Sequence, residues 1–112
     1  MTAKLLVGSN SRLVSLKCIL THNDTKSIIR LTSTGNGVFK SDSFPIQPGD
    51  NININFWGRL RAGWAVKIEV IGAAITPSDY IAGNFGDNGP YEISPGNIAA
   101  SFIIKQNIIA LQ

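Results

Sequence analysis

The chain has 112 residues and a net charge of +3, from ten Lys and Arg against seven Asp and Glu; 44% of its residues are apolar and 15% charged. That length and apolar content fit a single folded domain over 1–112 and exclude a disordered polyelectrolyte. With one cysteine, Cys18, and one histidine, His22, an internal disulfide and a Cys/His zinc cluster are excluded, and no run approaches the roughly 20 apolar residues of a membrane-crossing helix.

Residues 1–13 carry too short an apolar core to resemble a secretory leader, so the chain is expected to be soluble, with its compartment left open. Sixteen Ile recur between clusters of Gly, Asn, Asp, Ser and Pro, the spacing of an all-β domain. Residues 13–21 predict the first strand, in which Val14, Leu16, Cys18 and Leu20 form the core side and Ser15, Lys17, Ile19 and Thr21 the other. His22-Asn23-Asp24-Thr25 reads as a turn, because Asn and Asp tolerate left-handed backbone, and 27–32 returns as the second strand of a hairpin. Thr34-Gly35-Asn36-Gly37 breaks the chain before a strand over 38–46. That strand is interrupted at Ser41-Asp42-Ser43 and held to an edge or an end by Pro45, which has no amide to donate.

Gln47-Pro48-Gly49-Asp50 is a strong turn signal, with φ preset at Pro and positive at Gly. It leads into the cleanest period-two run of the chain, with Ile52, Ile54 and Phe56 pointing one way and Asn51, Asn53, Asn55 and Trp57 the other. A basic loop over 58–63 precedes a strand over 64–71 that sets Trp64, Val66, Ile68 and Val70 on one face. Residues 76–89 read as a long polar connection, a place to look for function. A short strand over 91–94, a turn at Pro95-Gly96-Asn97 and a last β segment over 98–111, broken near Gln106-Asn107, complete the chain. The sum is a two-sheet antiparallel sandwich or jelly roll of about seven to eight strands.

Two features suggest binding. Asn51, Asn53 and Asn55 present amides that both donate and accept hydrogen bonds, and Trp57 offers an aromatic face to the apolar side of a sugar ring; the phase of Trp64 with Val66 and Ile68 points to burial, while its place beside a loop would let it line a rim. The same row also fits a plain solvated strand or an interface between copies. The second feature is the stretch holding Asp79, Asn84, Asp87 and Asn88, oxygen donors among glycines of the kind calcium prefers, and equally the residues of a plain turn. Asp79, Gly83, Asn84, Phe85, Gly86, Asp87 and Asn88 resemble the calcium and sugar loop of small bacterial galactose-binding lectins, allowing one inserted residue between Asp79 and Asn84. That resemblance implies a jelly-roll fold, a calcium ion and a sugar ligand; it covers about a tenth of the chain. The order of strand, Asn turn, strand, Gly loop, Ile46-Gln47-Pro48-Gly49 turn, strand and Gly58-Arg59 is similar to the first half of aegerolysin-like sandwiches, through about Gly63. It implies membrane-lipid binding, with Trp57, Arg59, Arg61 and Trp64 as interfacial anchors.

Catalysis has little to stand on. His22 sits in a turn beside Asp24 with no nucleophile elbow or second histidine, and Cys18 lies on the apolar side of its strand. The basic residues are scattered, which weighs against nucleic acid as a partner. The function expected is therefore a non-enzymatic, lectin-like module for a glycan, with calcium as the candidate ion and homo-oligomers multiplying avidity. An assembly protein that buries its Ile and Trp surfaces between copies is the alternative, and a module at the membrane surface a third.

Overall fold

A computed structural model describes residues 1–10, 13–71, 78–87, 91–93 and 100–108. They form an all-β sandwich of two packed sheets, built from β1 (Thr2–Ser9), β2 (Val14–His22), β3 (Thr25–Ile29), β4 (Leu31–Gly35), β5 (Val38–Ser41), β6 (Phe44–Pro45), β7 (Asn51–Gly58), β8 (Gly63–Ile71), β9 (Ser78–Asn84), β10 (Tyr91–Ile93) and β11 (Ser101–Ile108). Sheet A runs β4-β5-β1-β8-β9, with β6 also paired to β1, and sheet B runs β10-β11-β7-β2-β3. The chain changes sheets at Arg30, between buried Ile29 of β3 and Leu31 of β4, so the segment read as one strand over 27–32 is two.

Alternation dictates the core. In β7 Ile52, Ile54 and Phe56 are fully buried while Asn51 and Asn53 face solvent; in β8 Trp64, Val66, Ile68 and Val70 are buried in the same way. Ala3, Leu5 and Val7 of β1 and Phe102 and Ile104 of β11 fill the space between. Each such Ile, Leu or Phe contributes about 1.5–3 kcal/mol by leaving water. Rings from both sheets close one end of this core, with Trp64 5.5 Å from Phe56 and 5.2 Å from Tyr91, and Phe56 5.6 Å from Phe85, all edge to face.

Other features also depart from the sequence reading. The described strands number eleven, not seven or eight. The segment 78–84, read as loop, is strand β9, paired along β8 from Ser78↔Glu69 to Asn84↔Gly63. And β11 lies parallel to β7, unbroken through Gln106 and Asn107. The expected turns are present: Asn23 and Asp24 take φ of 47° and 64° in the β2–β3 hairpin, and Gly49 takes 89°. The turn expected at Pro95-Gly96-Asn97 lies outside the described residues.

Candidate functional site

The expected site residues divide between the two sheets. On sheet B, β7 is the central strand, so its outward amides lie at the middle of the outer face, in the rows Thr21–Asn51–Ser101, Ile19–Asn53–Ile103 and Lys17–Asn55–Lys105. Two of the three amides already have partners on that face. Ser101 Oγ donates to Asn51 Oδ1, and Asn107 Nδ2 donates to Asn55 Oδ1 at 2.5 Å and to the Phe56 carbonyl at 3.0 Å. Trp57 is half-buried at the end of the row.

Trp64 belongs elsewhere. Its side chain is 2% exposed, and its indole Nε1 has no hydrogen-bond partner among the described residues. It underlies an open groove of about 440 Å³ at one end of the outer face of sheet A. The floor is the cross-strand row Val38–Gly8–Ala65–Ala82, whose small side chains leave a level surface. Gly83 has no side chain because Trp64 is there, and a Cβ would come within 2.7 Å of Cζ2. Tyr80 and the amides of Asn10, Asn36 and Asn84 stand around this floor, with Tyr80 63% exposed. Asn10 Nδ2 and Asn84 Oδ1 converge above Gly63, at 3.1 and 3.6 Å from the point where its Cβ would lie, which places an amide donor beside an amide acceptor.

The groove is held from behind by the backbone. Ser9 N–H donates to the Gly37 carbonyl at 3.1 Å, Asn10 N–H to the Gly63 carbonyl at 3.0 Å, and Ser9 Oγ to the same carbonyl at 2.9 Å. The end of β1 is thereby clamped between the β4–β5 turn and the start of β8. Asn36 sits at the tip of that turn with φ of 56°, which asparagine tolerates. The sequence reading singled out Asn84 as a calcium ligand and Trp64 as an aromatic rim for a sugar, not as parts of this groove, and did not single out Asn10, Asn36 or Tyr80, because it is strand register that brings these residues together.

Of the oxygen donors expected to hold calcium, Asn84 and Asp87 meet in one turn among the described residues. The backbone of Asp79 pairs with Ile68 in β9, five residues before Asn84, a span of roughly 17 Å along an extended strand. Asp87 Oδ2 accepts the Asn84 N–H at 3.0 Å, and Asp87 N–H donates to the Asn84 carbonyl at 3.1 Å, so this carboxylate closes a turn. Gln106 fastens that turn to β11, its Oε1 accepting from Gly86 N–H at 3.0 Å and its Nε2 donating to the Asp87 carbonyl at 2.6 Å. Asn88 lies outside the described residues, and no group of three or more His, Cys, Asp or Glu side chains suited to a metal occurs among those described.

His22 does have an acidic partner, but it is Asp50 rather than neighbouring Asp24. Its Nδ1 lies 2.5 Å from Asp50 Oδ1, and Asn23 Nδ2 lies 3.3 Å from its Nε2. Asp50, 3% exposed, also accepts Gln47 N–H at 2.8 Å through Oδ2. The pair ties the β2–β3 hairpin to the turn before β7. Burial pushes the Cys18 thiol up to about 12, so this cysteine stays protonated and is a poor nucleophile. Compared with protein-family models, curated proteins and solved structures, the chain matches none.

Proposed function

We propose that the chain is a non-enzymatic, lectin-like binding module whose glycan lies in the groove on sheet A. The observation that carries this reading is the convergence of Asn10, Asn36 and Asn84 beside exposed Tyr80 over the level floor of Gly8, Ala65 and Ala82. A sugar presents hydroxyls that donate and accept at once, which amides match, and an apolar face that stacks on an aromatic ring. The clamped backbone lowers the ordering cost of binding. The asparagine row of sheet B is the weaker candidate, because two of its carbonyl oxygens already hold Ser101 and Asn107.

A glycan array probed with the labelled chain tests this. Binding to a defined set of sugars that falls about tenfold or more in Tyr80→Ala and Asn84→Ala, and holds in Asn53→Ala, is expected. Gly63→Ala should weaken it as well, since the added methyl meets the Asn10 and Asn84 amides. A blank array, or loss only in Asn53→Ala, overturns the groove assignment. Repeating the array with chelator separates a calcium-assisted site, acting through Asn84 and Asp87, from one built on hydrogen bonds alone. Self-association is a compatible second reading, supported by Ile28, which is 73% exposed on sheet B in the row shared with Ile19 and Asn53. Light scattering at several concentrations, with Ile28→Asp as the comparison, tests that face.

A further inference from the structure

Below the groove, on the same outer face of sheet A, the next cross-strand row is Lys40–Leu6–Lys67–Tyr80, and Lys4 follows two residues along β1, opposite Glu69. Lys4, Lys40 and Lys67 line a hollow of about 200 Å³ with Leu5, Leu6 and Glu69. Lys40 and Lys67 flank Leu6 at one strand spacing on either side, so their Cα atoms stand roughly 10 Å apart, and Lys4 lies roughly 7 Å from Leu6 along the strand. Among the described residues of this lining, three ammonium groups face a single carboxylate, an excess of two positive charges. Like charges crowded on one sheet face repel, and an anion seated among them relieves that repulsion. Sheet B carries a row of the same spacing, Lys17–Asn55–Lys105, with an amide at its centre in place of Leu6, which makes it the matched control for charge alone.

We infer that this hollow is an anion site for a sulfate or phosphate group, and that the ligand of the adjoining groove is an acidic glycan whose sugar ring lies by Tyr80 and whose anionic substituent reaches the lysines. The inference rests on the glycan reading of the groove and specifies the ligand class. Tyr80 links the two parts, since it borders the groove and ends the Lys40–Leu6–Lys67 row.

The test uses the full chain on an array that carries sulfated and phosphorylated glycans beside their unmodified counterparts, with a parallel titration of inorganic pyrophosphate followed through backbone amide resonances. Modified glycans are expected to bind about tenfold or more tighter than their counterparts. That gap should collapse in Lys40→Gln/Lys67→Gln and persist in Lys17→Gln/Lys105→Gln, which removes the same charge from the other sheet. Pyrophosphate should shift the amides of Leu5, Leu6, Lys40 and Lys67 saturably. Neutral glycans bound with no gap, or a gap that both double variants remove equally, overturn the anion site while leaving the groove reading intact. A blank array with pyrophosphate shifts confined to the hollow overturns the acidic glycan and retains the anion site. A blank array with no such shifts overturns both. All four lysines lie on the surface of strands, so thermal melts of the two double variants should match the parent and exclude misfolding as the cause.

Discussion

The turn Gln47-Pro48-Gly49-Asp50 ahead of β7 and the turn Asn84-Phe85-Gly86-Asp87 after β9 share one hydrogen-bond pattern and differ in burial. In each, the fourth residue's N–H donates to the first residue's carbonyl at 3.1 Å, and the aspartate Oδ2 accepts the first residue's N–H, at 2.8 Å for Asp50 and 3.0 Å for Asp87. In each, a glycine in third place takes positive φ, 89° at Gly49 and 102° at Gly86. Asp50 is 3% exposed and uses its other oxygen on His22, while its carbonyl accepts Ser101 N–H at 3.0 Å; Asp87 is exposed. An aspartate after a glycine is therefore first a turn cap, and burial decides how much stability the cap carries. An acidic, glycine-rich sequence reads the same way whether it closes a turn or surrounds an ion.

The comparison breaks most sharply at the aspartates. Asp50→Ala removes two hydrogen bonds from a buried position and leaves the Gln47 amide and the His22 ring without their partner, so a loss of about 3 kcal/mol is expected in urea unfolding. A loss under about 1 kcal/mol would show that burial adds nothing to this cap. The glycines should behave oppositely, erasing the difference between the turns. Gly49→Ala and Gly86→Ala each force a side chain into positive φ, for about 1–2 kcal/mol apiece. A Cβ on Gly86 comes within 2.5 Å of Leu60 Cδ1, but Leu60 is 47% exposed and can swing aside. Unequal losses at the two glycines would mean that the turns differ in backbone and not only in burial.

What could be read from the sequence follows the same division between local and distant causes. The β7 alternation, the hairpin at Asn23-Asp24 and the Gln47–Asp50 turn were legible because each is fixed by neighbours in the chain. Strand β1 escaped because Leu6, 37% exposed, blurs the alternation of buried Ala3, Leu5 and Val7. β9 escaped because Asp79, Gly83 and Asn84 are turn formers by habit; pairing with β8 and the close approach of Gly83 to the Trp64 ring hold them extended. The parallel pairing of β11 with β7, the His22–Asp50 contact across 28 residues, and the meeting of Asn10 with Asn84 depend on topology, which periodicity does not encode. The candidate site was legible as a kind of chemistry, amides beside an aromatic ring, and not as a place.

Cys18 is a second buried titratable group, its pKa raised by burial alone. Its thiol moves from an ordinary 9.0 to about 12 in the fold. The folded state thus holds its proton where the unfolded chain has released it. The stabilising contribution is complete below about pH 9 and is lost as pH rises toward 12, with a slope of up to about 1.4 kcal/mol per pH unit. Cys18→Val should flatten this part of the stability curve relative to the parent, as read from urea midpoints between pH 8 and about 11. Parallel curves for the two proteins would show that the thiol does not titrate differently on unfolding.

The smallest effect separates the two meanings of the second turn. If Asp87 is a cap in water, Asp87→Ala costs about 0.5–1 kcal/mol, because a solvated amide recovers most of its lost bond from water. Gln106 still holds Gly86 and the Asp87 carbonyl in that variant, so the turn itself should survive. The loss should be the same in calcium and in chelator, measured as a difference in melting temperature between parent and variant under each condition. An ion ligand behaves otherwise, since a bound ion stabilises the parent by mass action and the variant would forfeit that gain only when calcium is present. A melting difference seen in calcium and absent in chelator would return Asp87 to the metal site and, with it, Asn84 from the rim of the groove to a shared ion.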